Sequence, residues 1–432
     1  MMASSSEQFP AIRVHGVNAV YDVVIVGAGI QGSATAYHCV KQGLKTVLLE
    51  QFSLPHSRGS SHGQSRIIRY SYKQSHYSEM MSEAFPMWKE LEKETSTPLY
   101  KQTGLLTISL PPNKGLYESS LDLMRKFQRP HRILDHETRK REYPQLDIPK
   151  DALAFLDYGG GTLRADKALR AYQSRPTEFQ FNLLEKWISM QLYSICLQDT
   201  YKNCGGIIKE EEPVLEITPG TLVTVRTSKG TYRTRHLILT PGAWAQKVLR
   251  PLGLDPPLTV TRINVPYWQE KEVGAMSKFP NVIFETENKS FVYGLQELEY
   301  PGLTKIPFNG GADTVDPDYR DTVHNEAVGH KSEIEFMKKF IARYFPLLLS
   351  EPSIMETCMY TTTPDMELIM DRHPVYPNII VCCGCSGHGF KLAPSIGKIL
   401  CRMAMGKEPH IDITALSFKR FSNSCLINKP KL

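Results

Sequence analysis

The sequence has little that would place the chain in a membrane or in an oxidising compartment. None of its apolar runs approaches the ~20 residues that a membrane-spanning helix requires. The residues before Tyr21 are polar and lack the apolar centre of a secretory signal. The nine cysteines form no framework of spaced pairs, and their odd number suits a reducing compartment. Repeats and low-complexity segments are also missing. We therefore expect a globular protein without a disulfide scaffold.

Charge of one sign is not concentrated anywhere in the chain. The net charge of +6 is dispersed over 432 residues without a basic block, which argues against a nucleic-acid partner. At most it favours a small anionic substrate. The length is sufficient for two domains, and a hydrophobic content of 41% with 22% charged residues is ordinary for globular proteins.

Three cysteines cluster at Cys382, Cys383 and Cys385, at the end of an apolar run. Such a cluster is either a metal site or a set of small apolar residues in a buried strand. The strand context favours burial. We therefore predict no metal.

A dinucleotide-binding pattern lies near the N-terminus. The apolar run Tyr21–Val26 leads into Gly27, Gly29 and Gly32, and a helical pattern and a second apolar run follow. In such a unit the glycines permit the tight turn, the approach of a pyrophosphate and close helix packing, and the helix N-terminus attracts phosphate. Glu50 follows Gly32 by about 20 residues, where a carboxylate accepts from ribose hydroxyls. The alternative is a βαβ unit whose glycines serve packing alone.

The pattern returns near the C-terminus and changes in between. A buried strand over 378–383, a glycine turn over 384–391 and a helix over 394–405 resemble a second strand–turn–helix unit. Alternating strands and aromatic turns fill 256–364. The cofactor domain is therefore predicted to be built from distant pieces with a substrate domain inserted. A polar loop over 55–69 should lie beside the cofactor, and further elements are predicted at 79–94 (helix), 103–110 (strand), 165–172 (helix), 221–235 (hairpin), 236–240 (strand) and 333–344 (helix).

Three motifs together resemble the monomeric sarcosine oxidase family of FAD-dependent amine oxidases: Ser60-Ser-His-Gly-Gln-Ser-Arg-Ile-Ile-Arg69, Cys358-Met-Tyr-Thr-Thr-Thr-Pro-Asp365 and Gly387-His-Gly-Phe-Lys391. The resemblance implies an α/β fold. It has a discontinuous, Rossmann-like FAD-binding domain of the glutathione-reductase type and an inserted antiparallel-sheet α+β substrate domain. The implied segments are 1–100, 152–250 and 364–432 for the FAD domain, and 101–151 and 251–363 for the substrate domain.

The resemblance also assigns the FAD contacts. It implies that the flavin is joined covalently to Cys358, where a thiolate meets the electron-poor ring; the alternative is a buried structural cysteine. The remaining implied cofactor-binding residues are Gly27, Gly29, Ile30, Gln31, Gly32, Glu50, Gln51, Ser61, His62, Ser65, Arg66, Val214, Trp244, Gly387, His388, Gly389, Phe390 and Lys391.

Substrate and oxygen residues follow from the same resemblance. Arginine binds a carboxylate through two parallel hydrogen bonds, and lysine adds a point charge. Arg69 and Lys391 match those two roles. Lys305 matches a lysine that activates O₂ by stabilising superoxide. The alternative for each cation is a solvated surface position. Arg66 is expected against the flavin and His388 beside it, and Tyr293 and Tyr360 are expected as aromatic walls or, alternatively, as core residues.

Two departures from the family stand out. Asn309 replaces a substrate-site histidine, and an amide cannot take a proton at neutral pH. A segment near 171–196 is extra, and it is either a surface excursion with a helix over 181–196 or an artefact such as translated intron. An artefact or a poorly ordered loop is favoured, because a real apolar insert would expose Trp187 and its neighbours.

The resemblance implies an oxidase of secondary amino acids. Sarcosine would give glycine, formaldehyde and H₂O₂, and L-pipecolate would give its cyclic imine and H₂O₂. A flavin dehydrogenase, an oxidase of larger N-alkyl amino acids and a flavin-binding protein with little activity remain alternatives. The resemblance suggests a monomer. The terminal Pro430-Lys431-Leu432 matches two of three residues of a peroxisomal address, which would engage an import receptor; otherwise the protein would be cytoplasmic.

Overall fold

A computed structural model of the chain describes residues 19–173, 206–296, 298–310, 313–322 and 328–425. Within these ranges the strands are, in chain order, β1 (Val20–Val26), β2 (Thr46–Leu49), β3 (Ser65–Ile68), β4 (Tyr100–Gln102), β5 (Leu105–Ser109), β6 (His131–Leu134), β7 (Leu153–Asp157), β8 (Gly161–Arg164), β9 (Ile207–Lys209), β10 (Val214–Thr218), β11 (Val223–Thr227), β12 (Thr231–Leu239), β13 (Thr259–Glu270), β14 (Asn281–Glu285), β15 (Phe291–Gly294), β16 (Leu303–Lys305), β17 (Asp313–Thr314), β18 (Leu348–Thr362), β19 (Ile369–Arg372) and β20 (Ile379–Cys383).

The α-helices of the same ranges are α1 (Ile30–Lys41), α2 (Ser75–Thr95), α3 (Gly115–Lys126), α4 (His136–Glu142), α5 (Ala165–Gln173), α6 (Ala245–Leu249), α7 (Val328–Tyr344) and α8 (Gly389–Ala404). Short 3₁₀ helices cover Gly242–Trp244, Arg250–Leu252, Pro317–Thr322, Thr414–Leu416 and Phe418–Cys425.

The cofactor sheet has β1 at its centre. Strands β12 and β2 flank β1 in parallel, β9 continues the sheet beyond β2, and β20 runs parallel to the C-terminal half of β12. Side chains of a strand alternate between faces. Accordingly, Val23 and Ile25 join one buried cluster with α1, α2 and α8, while Val24 and Val26 join another on the opposite face. Burial on both faces explains the continuous apolar runs in these strands.

The first and last helices of this domain pack on each other. A methyl group at Gly397 of α8 would lie 2.7 Å from the carbonyl carbon of Ala34 in α1, so the helices approach closely because Gly397 has no side chain. The pieces 20–50 and 379–404, far apart in the chain, thus build one nucleotide-binding fold.

The inserted region is organised around the long antiparallel pair of β13 and β18. In this pair Ile263 lies opposite Cys358, and on the other side of β13 Tyr267 lies opposite Lys305 of β16. A second sheet has the order β15-β14-β5-β7-β6, in which only β5 and β14 are parallel. Aromatic side chains of α7, among them Phe340, pack on Phe284 of this second sheet. The β13–β18 pair therefore carries Cys358, and β16 carries Lys305, to the edge of the cofactor domain.

The predicted α/β fold with discontinuous cofactor segments is confirmed, and two local predictions are wrong. The 55–69 segment is not all loop, because its end forms β3, which pairs with β8. Helix α8 begins at Gly389 rather than at Pro394. The start was predicted at Pro394 because proline is common at the first helical position, but this proline lies inside the helix. The C-terminal Pro430–Leu432 and most of the 171–196 segment, including the helix predicted over 181–196, lie outside the described residues.

Candidate active site

One large cavity of about 870 Å³ runs from the carboxyl ends of β1 and β2 to the aromatic face of the inserted region. Ligand sites of α/β sheets lie at this end of the strands. The cavity is lined from both parts of the molecule: by the Gly27–Gln31 turn, by the loop after Glu50, by β15 and by the segment 384–391.

The glycine turn has no room for side chains. Gly27 has φ +97°, and a methyl group there would lie 2.5 Å from the carbonyl oxygen of Thr240. A methyl group at Gly32 would lie 1.9 Å from the carbonyl oxygen of Gly27. Gly29 faces the side chain of Ser61, 3.1 Å from where its Cβ would be. The turn is thus a bare backbone cradle at the start of α1, which fits the pyrophosphate of a dinucleotide.

Polar side chains hold this cradle in place. The carboxylate of Glu50, buried at 6% exposure, accepts from the backbone N–H of Ala28 at 2.9 Å and from that of Phe52 at 3.1 Å. The Ser61 hydroxyl accepts from the N–H of Ile30 at 3.0 Å. Glu50 also lines the cavity, where it remains able to accept from a ribose.

Most of the predicted cofactor residues line the large cavity. They are Gly27, Gly29, Ile30, Gln31, Glu50, Gln51, Ser61, His62, Arg66, Val214, Trp244, Gly387, His388, Gly389, Phe390 and Lys391. Gly32, Ser65 and Cys358 do not line it. Gly32 packs beneath the turn, Cys358 lines a smaller cavity described below, and Ser65 accepts a hydrogen bond from Lys305 of that smaller cavity.

Arg66 ties together the loop between the two cavities. Its guanidinium donates to the carbonyl oxygens of Ser65 at 2.7 Å, Ser60 at 3.0 Å and His62. Its Cζ lies 5.5 Å from the centroid of the Phe390 ring. Arg66 lines both cavities, so this cation shapes the loop and faces the space that a flavin would fill.

Two further cations converge in the half of the cavity nearest the inserted region. The Cζ of Arg69 lies 4.7 Å from the centroid of the Tyr72 ring, and the Nζ of Lys391 lies 6.0 Å from the same centroid. The Nε and Nη1 atoms of Arg69 are buried without a hydrogen-bond partner among the described residues. Buried donors of this kind require an acceptor, and a carboxylate supplies two in the matching geometry.

Burial and neighbouring positive charges shift the pKa values of Lys391 and His388 in this part of the large cavity. Burial, with smaller contributions from the charges of Arg69 and Arg66, lowers the pKa of Lys391 to about 7. The Nζ of Lys391 donates only a long bond, 3.4 Å, to the carbonyl of Gly387. Burial and the neighbouring cations, Lys391 first, also hold the pKa of His388 well below its ordinary value, so His388 is neutral at pH 7. An anion entering here would be attracted strongly.

Tyr293 and Tyr360 form an aromatic wall. Their hydroxyl oxygens lie 3.4 Å apart, and burial raises the pKa of both phenols. Both rings line the large cavity, with Asn309 beside them, rather than serving only as core. The amide oxygen of Asn309 lies 3.7 Å from where a Cβ on Gly387 would be, so Asn309 lies next to the 384–391 segment.

A second, small cavity of about 30 Å³ adjoins the first. It shares His62, Arg66, Tyr293 and Tyr360 with the large cavity, and it is lined in addition by Cys358 and Lys305. The Cys358 thiol is 8% exposed and lies 3.9 Å from the carbonyl oxygen of Ser60. Lys305 is 5% exposed and is therefore not a surface lysine.

Several residues at the site were not foreseen from the sequence. Gln173 donates to the carbonyl of Ala28 at 2.9 Å, and Lys73 lies at the cavity rim with its Nζ 4.8 Å from the Phe291 centroid. Glu299 pairs with Lys305 at 3.2 Å. Gln173 ends an amphipathic helix, which gives a weak signal, but nothing in the sequence around Lys73 or Glu299 marks a site.

Other kinds of site find no support in the described part of the chain. It holds no group of three or more His, Cys, Asp or Glu side chains suited to a metal ion. None of the helices in those ranges is both long and apolar enough to cross a membrane.

Comparison with known proteins agrees with this geometry. Residues 22–403 match the family model described as FAD dependent oxidoreductase. A peroxisomal sarcosine oxidase from Homo sapiens is 40% identical over 407 residues, covering 93% of this chain and 96% of that protein. A monomeric sarcosine oxidase from Bacillus sp. (strain NS-129) is 30% identical over 406 residues, covering 93% and 97%.

The fold has solved counterparts as well. The structure of NikD, an amino acid oxidase of nikkomycin biosynthesis, aligns with a TM-score of 0.73 at 21% identity, covering 93% of this chain and 98% of that one. The bare glycine cradle and the carboxylate at the end of β2 fit the dinucleotide that the family model names. The chain therefore belongs to the family of FAD dependent oxidoreductases, among the relatives of the sarcosine oxidases.

Proposed function

We propose that this protein is an FAD-dependent oxidase of secondary amino acids, with sarcosine and L-pipecolate as substrates. The observation that carries the proposal is the pair of cations, Arg69 and Lys391, which lie near the same tyrosine ring and line the cavity that also contains the dinucleotide cradle. The orphaned donors of Arg69 support a carboxylate as the natural occupant.

The side chains define how a substrate is held. Arg69 and Lys391 anchor the carboxylate, and the Tyr293–Tyr360 wall packs against the carbon chain and excludes water. The amine must be neutral before the C–H bond next to it can break. The surrounding cations and the dry wall lower the pKa of a bound ammonium, and the neutral imidazole of His388 is positioned in the same half of the cavity to accept hydrogen bonds from it.

FAD supplies the redox chemistry when bound: it takes a hydride from the carbon beside the amine and passes the electrons to O₂. Sarcosine, O₂ and water would then give glycine, formaldehyde and H₂O₂, and L-pipecolate and O₂ would give the cyclic imine and H₂O₂. Cys358 is the proposed point of covalent attachment, since it lines the small cavity and its thiol lies 3.9 Å from the carbonyl oxygen of Ser60, a residue of the large cavity. Lys305 is the proposed cation for O₂, because it is buried in the small cavity beside that thiol.

The location and assembly state belong to the same proposal. We propose a peroxisomal enzyme, which is consistent with a peroxide-forming reaction and with the names of the human and mouse relatives. A monomer is consistent with the name of the bacterial relatives. A fluorescent fusion with and without the final Pro430-Lys431-Leu432 tests the import signal.

Anaerobic flavin reduction tests the central claim. Sarcosine or L-pipecolate added to the purified holoenzyme without air should bleach the flavin absorbance, and Arg69→Met should slow the bleaching at low substrate. Re-admission of air should yield one H₂O₂ per substrate; a low peroxide yield would identify a dehydrogenase instead. Failure of every secondary amino acid to bleach the flavin would reject the function and leave a flavin-binding protein.

A further inference from the structure

A buried ion pair lies behind the small cavity. Lys305 and Glu299 are joined at 3.2 Å, and their side chains are 7% and 3% exposed. The hydroxyl of Ser65 donates to the same carboxylate oxygen of Glu299 and accepts from the Lys305 ammonium at 3.3 Å. Ser65 begins β3, so the pair is held against the loop that carries Arg66.

The remaining charged groups near Lys305 are arranged around this pair. Arg66 lowers the pKa of Lys305, and Glu356 raises it to a smaller extent. Glu356 accepts from the hydroxyls of Tyr267 at 3.0 Å and Tyr300 at 2.6 Å, so its charge is already engaged. The ring of Tyr267 covers Lys305, with 5.5 Å from its centroid to the Nζ.

Burial strongly disfavours an isolated ammonium. A lysine in such a place normally loses its proton unless a partner compensates for the lost water. Burial is the largest influence on the pKa of Lys305 and lowers it, and Glu299 is the largest influence in the opposite direction. The carboxylate of Glu299 is itself kept ionised, against the effect of burial, by Lys305, Ser65 and Tyr267.

We propose that Glu299 is a positioning residue that keeps the Lys305 ammonium charged and directed at the small cavity beside Cys358. The importance of Glu299 for turnover rests on the proposed function, in which Lys305 is the cation that activates O₂. Without Glu299 the pKa of Lys305 would fall further, and the reoxidation of the reduced enzyme would lose its cation as the pH rises. The capture of hydride, which depends on the other half of the cavity, would remain.

The pairing is tested without turnover by thermal unfolding of the holoenzyme. Glu299→Gln leaves a buried charge without its partner and should lower Tm by roughly 5–10 °C at pH 7. In the double variant with Lys305→Met, this loss should largely disappear. Glu270→Gln is the matched control, because Glu270 is a buried carboxylate on the adjacent β13 that bonds to the neutral groups of Gly274, Met276 and Thr304. The change in Tm caused by Glu270→Gln should simply add to the change caused by Lys305→Met in the double variant.

The consequence for catalysis is tested by separating the two half-reactions. In Glu299→Gln, anaerobic flavin reduction should stay within about twofold of the parent, a change worth little free energy. The rate with O₂ should fall as pH rises, about tenfold for each unit by which the pKa of Lys305 lies below the assay pH. Lowering the pH should restore it, and Glu299→Asp should shift the profile less.

The outcomes separate the two ideas. If Lys305→Met abolishes reaction with O₂ while Glu299→Gln leaves the pH profile unmoved, the role of Glu299 is overturned and the proposed function stands. If Lys305→Met reacts normally with O₂, the role of Lys305 in the proposed function fails, and the thermal coupling alone decides the pairing. Should Glu299→Gln not fold, Ser65→Ala replaces it, with a smaller shift of the pH profile in the same direction supporting the proposal and an unmoved profile overturning it.

Discussion

Arg69 and Lys391 come from opposite ends of the chain, yet their cationic groups lie 4.7 and 6.0 Å from the centroid of one ring, that of Tyr72. The two positions could meet only because α8 packs beside α1 and α2, which brings the C-terminal turn next to the loop after β3. Two positive groups at one place repel each other, and an anion between them relieves that repulsion. This relationship underlies the first two predictions.

Replacing Arg69 should weaken substrate capture. Arg69→Met removes two charge-assisted hydrogen bonds, each worth about 1.5–3 kcal/mol, so kcat/KM should fall by roughly 10²–10⁴-fold. Arg69→Lys should recover only part of this, because a lysine cannot bind both carboxylate oxygens in parallel. Steady-state kinetics with sarcosine and L-pipecolate provide the measurement. Arg132→Met, at an exposed arginine that pairs with Glu142, is the control and should be silent.

The binding of simple carboxylates should weaken above neutral pH. The pKa of Lys391 is about 7, below its ordinary value of 10.5, so the side chain is cationic below pH 7 and neutral above it. The dissociation constant of acetate, followed by its effect on the flavin spectrum, should therefore rise about tenfold per pH unit above 7 and level off only above the higher pKa that Lys391 has with acetate bound. Acetate has no amine, so the ionisation of a substrate amine does not complicate the profile.

Two variants check that assignment. Lys391→Met should remove the pH dependence and bind acetate weakly throughout. Lys398→Met, on the same helix but paired with Glu83 at 2.7 Å, should keep the parent profile. If acetate binding to the Lys391→Met variant keeps the pH dependence of the parent enzyme, a group other than Lys391 is titrating.

The βαβ unit was predictable from sequence because its signals are local. The strand over 20–26, the glycines and the start of α1 at Ile30 are specified by one short stretch, and the acid at Glu50 follows at the expected separation. The start of α8 was missed because Pro394 suggested a helix beginning, whereas tertiary packing against α1 and α2 extends the helix to Gly389.

The site itself was predictable only in part. Arg69, Lys391, Tyr293 and Tyr360 were named through family motifs and line one cavity. Glu299 carries no motif; it matters through its contact with Lys305, which depends on a turn that positions it next to β16. The roles of all these residues remain predictions until the variants are measured.

Cys358→Ser should release the flavin from the protein. Denaturation by acid should leave the parent protein yellow in the pellet and the variant pellet colourless, with FAD in the supernatant. Cys385→Ser is the control, since Cys385 is a cysteine that lines the large cavity and lies close to Cys382. If colour stays with the Cys358→Ser pellet and leaves with Cys385→Ser, the attachment point has been assigned to the wrong cysteine.

Gly32→Ala should impair the cofactor cradle. The new methyl group would lie 1.9 Å from the carbonyl oxygen of Gly27 and 2.7 Å from Oγ1 of Thr240, so the backbone must shift. We expect a cost of about 1–3 kcal/mol or more in stability and a clear loss of bound flavin, measured by Tm and by the ratio of flavin to protein absorbance. Gly230→Ala meets nothing within 4 Å and should change neither quantity. Full flavin content in Gly32→Ala would contradict the placement of the pyrophosphate.

The joining of early and late segments has a consequence for biosynthesis. While the ribosome is still translating the inserted region, β1 and α1 already exist but lack β20 and α8, whose residues form the opposite wall of the cleft. A nascent chain that stops short of Ala404 thus holds an incomplete flavin pocket and leaves the apolar side of α1 uncovered. We therefore expect FAD to bind only when translation is nearly finished, and the emerging chain to expose an aggregation-prone apolar surface until then.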